Sequence, residues 1–287
     1  MTTRVDCITV GVLALQGAFR EHVDLLRVAA KTLQAQHQSK SEWQFTEVRN
    51  AGELARCDAL IIPGGESTTM ALVASRSNFL EPLREFVKVR RKPTWGTCAG
   101  LILLAESANR TKKGGQDLIG GLDVRVNRNH FGRQTESFEA KLDLPFLTQG
   151  LDGAAEVDGT PFRAIFIRAP VVEKILPTIV GPHSDEEQRA DTVIAPSRTA
   201  EEASAGEHVG AAVEVMATLG MRTGTMPTPA TSGGPDQSAG NIIAVRQGNV
   251  FGTSFHPELT GDARIHIWWL RGVEAAILKR RETAPPP

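Results

Sequence analysis

Three stretches of this 287-residue chain carry side chains able to make and break bonds. The first is Gly96-Thr97-Cys98-Ala99-Gly100. A G-x-C-x-G run between a short strand and an apolar helix has the form of a nucleophile elbow with cysteine in place of serine. The tight turn needs small neighbours, which Gly96 and Gly100 supply. The helix N-terminus favours thiolate over thiol, and the free N–H of Ala99 can point at a developing oxyanion. Taken alone, the five residues read equally as a structural cysteine in a glycine-containing turn.

A thiolate attacking an acyl carbon needs a base, and the base needs an orienting partner. His256-Pro257-Glu258 lies 158 residues downstream of the cysteine, at the end of a strand-like run. Pro257 holds the chain extended, so His256 and Glu258 project to one side. His256 by itself reads as an ordinary histidine after a strand. Beside the elbow it completes a triad in sequence order. The third stretch is Pro63-Gly64-Gly65-Glu66-Ser67. A Gly-Gly turn opening a helix exposes backbone N–H groups, and Gly65 can give a second oxyanion donor. The turn lacks the lysine of a phosphate-binding loop, which disfavours a nucleotide.

The elements that must position these groups are legible in outline. Residues 8–15 form a short apolar, β-branched run that suits a strand buried on both faces. Residues 19–33 carry a helical period, and a polar insert follows at 34–42. A second strand opens at Val48, and 58–62 is a third, stopped by Pro63-Gly64-Gly65. Helical patterns cover 67–74, 79–89 and 101–105, with a short strand at 93–96. The alternation predicts an α/β fold: a mostly parallel sheet flanked by helices in three layers. From about 120 the runs at 124–127, 137–142, 162–167, 213–217, 242–246 and 250–255 predict an antiparallel extension. Residues 263–278 form a last amphipathic helix, and 282–287 a frayed tail. Residues 181–240 are rich in Gly, Pro, Ser and Thr. Apart from 213–219 they hold too little apolar surface to offset their ordering entropy, and read as insertions. Length alone suggests about two domains. These stretches, with the Gln16-Gly17 turn that the resemblance given below adds to them, run from Gln16 to Glu258, so no cut leaves a working half, and the expectation is one domain.

Thirty-two basic against 33 acidic side chains disfavour a nucleic-acid partner. No run approaches a membrane span, and no secretory leader is visible. Three scattered cysteines fit a reducing, cytoplasmic setting, with Cys7 and Cys57 as inert core residues. No Cys/His cluster has metal-ligand spacing, and no cofactor is called for.

Together GVLALQG at 11–17, PGGESTT at 63–69, GTCAGL at 96–101, NRNHFGRQ at 127–134, FIRAP at 166–170 and SFHPEL at 254–259 resemble one family. It is the class I, or triad, glutamine amidotransferases, and within them the glutaminase subunit of pyridoxal 5′-phosphate synthase. The likeness covers about 8–176 and 241–280, and the insertions at 181–240 have no counterpart in the family's short bacterial form. The resemblance implies a flavodoxin-like fold and hydrolysis of L-glutamine by Cys98, His256 and Glu258. It implies substrate contacts from Gly65, Glu66, Ser67, Arg128, Ile167 and Arg168. Arginine also suits an α-carboxylate on chemical grounds. It implies that Gln16 and Gly17 complete the oxyanion hole when a partner docks. That partner is a (β/α)8 synthase subunit, within a large hetero-oligomer, that receives the ammonia. The residues themselves leave two other readings open: a different cysteine hydrolase on the same fold, such as a peptidase, and a non-catalytic binding subunit.

Overall fold

The structure, a computed structural model, describes residues 7–36, 38–110, 116–128, 137–148, 159–179, 181, 183–197, 211–220 and 241–283. In chain order the first half holds β1 (Cys7–Leu13), α1 (Phe19–Ala35), β2 (Glu42–Val48), α2 (Ala51–Ala55), β3 (Ala59–Ile62), α3 (Ser67–Arg76) and α4 (Leu80–Arg84). A π-helical turn, Glu85–Val89, leads to β4 (Thr94–Thr97), α5 (Ala99–Leu104), β5 (Ala105–Asn109) and β6 (Leu122–Asn127). Then come β7 (Ser137–Leu142), α6 (Pro145–Thr148), β8 (Phe162–Ile167), β9 (Val171–Ile175), α7 (Ser184–Glu187), β10 (Thr192–Ile194) and β11 (Glu214–Leu219). The chain closes with β12 (Asn241–Gln247), β13 (Val250–Thr253), a 3-10 turn at Pro257–Leu259 and α8 (Arg264–Thr283).

The apolar strands line up as expected for a sheet covered on both faces. The order β2-β1-β3-β4-β13 is parallel throughout, the doubly wound arrangement in which ligands sit beyond the carboxyl ends of the strands. Beyond β13 the sheet continues through β12, β9, β6, β5 and β10, with antiparallel pairing everywhere except β5 with β6. One buried cluster joins α3, α4 and α5 to one face of the sheet. The other joins α1 and α8 to the opposite face, where the β7–β8 hairpin also packs. Among the described residues no helix is long and apolar enough to cross a membrane.

Several boundaries differ from the sequence reading. Val48 ends β2 instead of opening a strand, because the Glu-Trp-Gln-Phe alternation before it pairs in register with β1 from Cys7↔Glu42. The helix expected over 79–89 is split by the π turn, and that over 101–105 gives way to β5 at Ala105 without a loop. Cys7 is exposed, not a core residue, since it is the first residue of β1. Helix α8 runs through Thr283, into the stretch expected to fray. The largest correction lies in 181–210. Within it α7 and β10 are ordered, and β10 pairs with β5. What anchors them is charge: Glu186 is 2% exposed and bonds Arg125 at 2.7 Å. Residues 221–240 lie outside the described residues.

Candidate active site

Strands β4 and β13 are neighbours in parallel register, Thr97 beside Thr253. Residues just past their ends are therefore delivered side by side. Cys98 follows β4 with φ 48° and ψ −99°, a strained left-handed turn that a non-glycine residue adopts only when its surroundings enforce it. Enforcement is visible: the Cys98 amide donates to the Thr253 carbonyl at 2.8 Å. A Cβ on Gly100 would sit 2.0 Å from the Ile62 carbonyl oxygen, so only glycine lets α5 start this close to β3. This is the expected elbow, and it leaves Ala99 as the first residue of α5.

His256 follows β13, and its amide donates to the Ile165 carbonyl of β8 at 2.8 Å. Its Nδ1 lies 2.7 Å from Glu258 Oε1. Nε2 is thus the nitrogen left for the Cys98 sulfur. Burial alone would lower the His256 pKa. The hydrogen bonds and charges of Cys98 and Glu258 outweigh it and raise the value to about 10. The arrangement sets a protonated imidazole beside the cysteine sulfur, the pairing a cysteine nucleophile needs.

The imidazole is also held from the side. A Cβ on Gly64 would lie 2.2 Å from His256 Cε1. Gly64→Ala is expected to push the ring off line by about an ångström and to lower kcat about 100-fold while the protein stays folded. Steady-state kinetics beside a thermal melt checks this, and unchanged kcat would show that the ring is not positioned by this wall.

The loop at Gln16-Gly17 is pressed onto the same turn. Gly17 has φ 98°, the Ala18 amide donates to the Gly64 carbonyl at 3.1 Å, and Gln16 Oε1 accepts from the Glu66 amide at 2.7 Å. A Cβ on Gly65 would meet that same Gln16 oxygen at 2.3 Å. The structure therefore brings Gln16, Gly17 and Gly65 together with the elbow's neighbour turn.

The expected substrate contacts are placed as follows. The Glu66 carboxylate caps α3, accepting from the Thr68 and Thr69 amides at 3.2 and 2.7 Å. Burial pushes its pKa up, but these bonds and those from the threonine hydroxyls leave it below its usual value. Ser67 is buried, and its hydroxyl accepts from Arg128 at 2.9 Å and donates to Gln116 Oε1 at 3.1 Å. Arg128 is buried, 8% exposed, with one guanidinium nitrogen 4.0 Å from Glu66 Oε1. The Ile167 carbonyl oxygen lies 3.9 Å from Cys98 Sγ, so Ile167 reaches the centre through its backbone. Arg168 follows at φ 45°, exposed and strained. Asn129 to Gln134 lie outside the described residues.

Sequence reasoning missed the groups behind the triad. His22 and His266 are wholly buried, and His22 reaches Thr97 Oγ1 at 3.2 Å and Glu258 Oε2 at 3.4 Å. Each is a histidine on the apolar face of an amphipathic helix, and that was the available signal. Gln116 carried no signal.

The model of the SNO glutamine amidotransferase family matches residues 12–200. A protein of Arabidopsis thaliana named probable pyridoxal 5′-phosphate synthase subunit PDX2 is 41% identical, over 92% of this chain and 85% of its own length. A Streptomyces griseus protein named pyridoxal 5′-phosphate synthase subunit PdxT is 38% identical, over 94% and 98% respectively. A crystal structure titled glutamine amidotransferase superposes with a TM-score of 0.58 at 32% identity, covering 92% of this chain and 98% of that one. A family match over well over half the chain, with relatives aligned nearly end to end, leads to one conclusion: the chain belongs to the SNO glutamine amidotransferase family.

Proposed function

We propose that the chain hydrolyses L-glutamine to L-glutamate and ammonia, and hands the ammonia to a (β/α)8 subunit that makes pyridoxal 5′-phosphate. The observation that carries this reading is the alignment of Cys98, His256 and Glu258 at the carboxyl ends of adjacent strands. In this mechanism Cys98 Sγ attacks the side-chain amide carbon. The N–H groups of Gly65 and Ala99, with the Gln16-Gly17 loop beside them, take the developing oxyanion. His256 gives its Nε2 proton to the leaving nitrogen, releasing ammonia and a glutamyl thioester. It then takes a proton from water, whose oxygen attacks the thioester carbon and frees the thiolate and glutamate. Glu258 fixes the ring through Nδ1. Glu66, Ser67, Arg128, Ile167 and Arg168 hold the substrate, with arginine matching its α-carboxylate.

The reading takes the chain as one domain. The relatives' names, synthase subunits, support a synthase partner, and the reading puts the two in a large hetero-oligomer. Three free cysteines support a cytoplasmic setting. The test is ammonia and glutamate release from glutamine, with and without a purified (β/α)8 synthase subunit of a relative. Equimolar ammonia and glutamate are expected with the partner present. Absence of both would refute the reading, and cleavage of peptides instead would favour the peptidase alternative.

A further inference from the structure

Glu258 has two carboxylate oxygens, and His256 engages only one. The other, Oε2, is buried and has no hydrogen bond among the described residues, yet His22 Nε2 stands 3.4 Å away. A buried acceptor oxygen needs a donor, or the carboxyl group rotates toward whatever can give one. The direction of the hydrogen bond behind His22 decides whether His22 is that donor.

His22 Nδ1 lies 3.0 Å from His266 Nε2, and His266 Nδ1 is buried without a partner. Burial holds both rings neutral: the pKa of His22 is well below its usual value, and that of His266 falls to about 3. Each neutral ring has one N–H and one lone pair. If His22 Nδ1 donated, His266 Nδ1 would be an orphaned buried donor, and His22 would turn a lone pair toward a carboxylate. If His266 Nε2 donates instead, the orphan is only a lone pair, and His22 Nε2–H faces Glu258 Oε2 and Thr97 Oγ1. The second arrangement satisfies more groups and opposes no like charges. The rings have little freedom to turn, since Trp95 packs edge-on to His22 at 5.5 Å and to His266 at 4.9 Å.

We propose that His22 is a positioning residue for the triad. Its Nε2–H, oriented by His266, fixes Glu258 Oε2 so that Oε1 stays on His256 Nδ1. The line runs from His266 of α8 through His22 of α1, Glu258 and His256 to Cys98, and His22 never touches substrate. The proposal rests on the glutaminase reading above.

The test is glutamine hydrolysis by variants in the presence of the synthase subunit. His22→Leu is expected to lower kcat by about tenfold to a hundredfold, as loss of a group orienting an active-site ligand does, with KM unchanged. His22→Gln places an amide N–H where Nε2 was and is expected to regain most of that loss. His22→Asn, whose amide reaches only the Nδ1 position, is expected not to. A purely packing role predicts equal losses for Gln and Asn, and that result overturns the proposal, as does unchanged kcat in His22→Leu. If His22→Leu fails to fold, the Gln and Asn pair decides alone. Wild type in the same assay separates the two levels. Wild type without ammonia release refutes the glutaminase reading, whereas active wild type with indifferent His22 variants refutes only this proposal.

Discussion

Cys98→Ala is expected to cut glutamine hydrolysis by about 10⁴-fold or more, the scale on which removing a covalent nucleophile acts. Binding to the synthase subunit and the protein's stability should survive. The reason is that the elbow is set by backbone bonds. Cys98 donates through its amide to Thr253 and accepts at its carbonyl from Ile102 at 3.2 Å, and alanine keeps both. Alanine also tolerates the φ of 48° no worse than cysteine does, since both carry a Cβ. The variant therefore removes the sulfur and little else. The measurement is twofold: ammonia release from glutamine, and pyridoxal 5′-phosphate formation by the complex supplied with an ammonium salt. The first should vanish and the second persist. Hydrolysis at the wild-type rate would remove Cys98 as the nucleophile.

Arg125→Met should produce the largest loss of stability, about 3 to 5 kcal/mol, because it strands a buried carboxylate. Arg125 is 1% exposed and donates to Glu186 and to the Thr192 hydroxyl, each at 2.7 Å, and to the Ser107 hydroxyl and Glu173, each at 3.2 Å. One guanidinium on β6 thereby clamps α7 and β10 to the sheet. Methionine preserves the stem volume but leaves Glu186 only the Ser107 hydroxyl at 2.8 Å and the half-exposed Lys174 at 3.6 Å. Urea melts measure the loss. Adding Glu186→Gln to Arg125→Met should recover part of it, and full additivity would mean that the two do not couple. The pH dependence has a definite sign. Burial raises the Glu186 pKa, but the bonds from Ser107 and Arg125 outweigh it and hold the value below normal. A depressed carboxyl stabilises the fold fully above its unfolded pKa of about 4.3. That stabilisation is lost as pH falls through the lower folded value. The wild-type midpoint should drop in this acid window, and that of Arg125→Met should drop less.

The same arginine shows where sequence reading stopped. Within the parallel half β1 and β3 were legible because they are apolar on both faces and are followed by glycine-containing turns. The triad was legible because its chemistry depends on residue types at short spacing, as in Gly96-Thr97-Cys98 and His256-Pro257-Glu258. The segment carrying α7 and β10 was not, since its anchor is one buried carboxylate whose partner lies 61 residues away. Local hydrophobicity registers no such pair. Strand β2 was misplaced for a related reason: as an edge strand it is half wet, and its Trp43 and Phe45 alternate with polar residues. His22 lay within a correctly read helix, but its role depends on Glu258, far along the chain.

The adjacency of β4 and β13 also bears on when the two reacting side chains meet. Cys98 leaves the ribosome early, whereas the strand that brings its base is synthesised more than 150 residues later. That late strand occupies an interior slot of the sheet, between β4 and β12. Closing so distant a pairing is among the slower events of folding. Until it happens, His256 is absent from the elbow and no Thr253 carbonyl holds the Cys98 amide. The nascent chain thus carries Cys98 without its paired histidine until the sheet closes. Completion of the sheet is the step that brings Cys98 and His256 together.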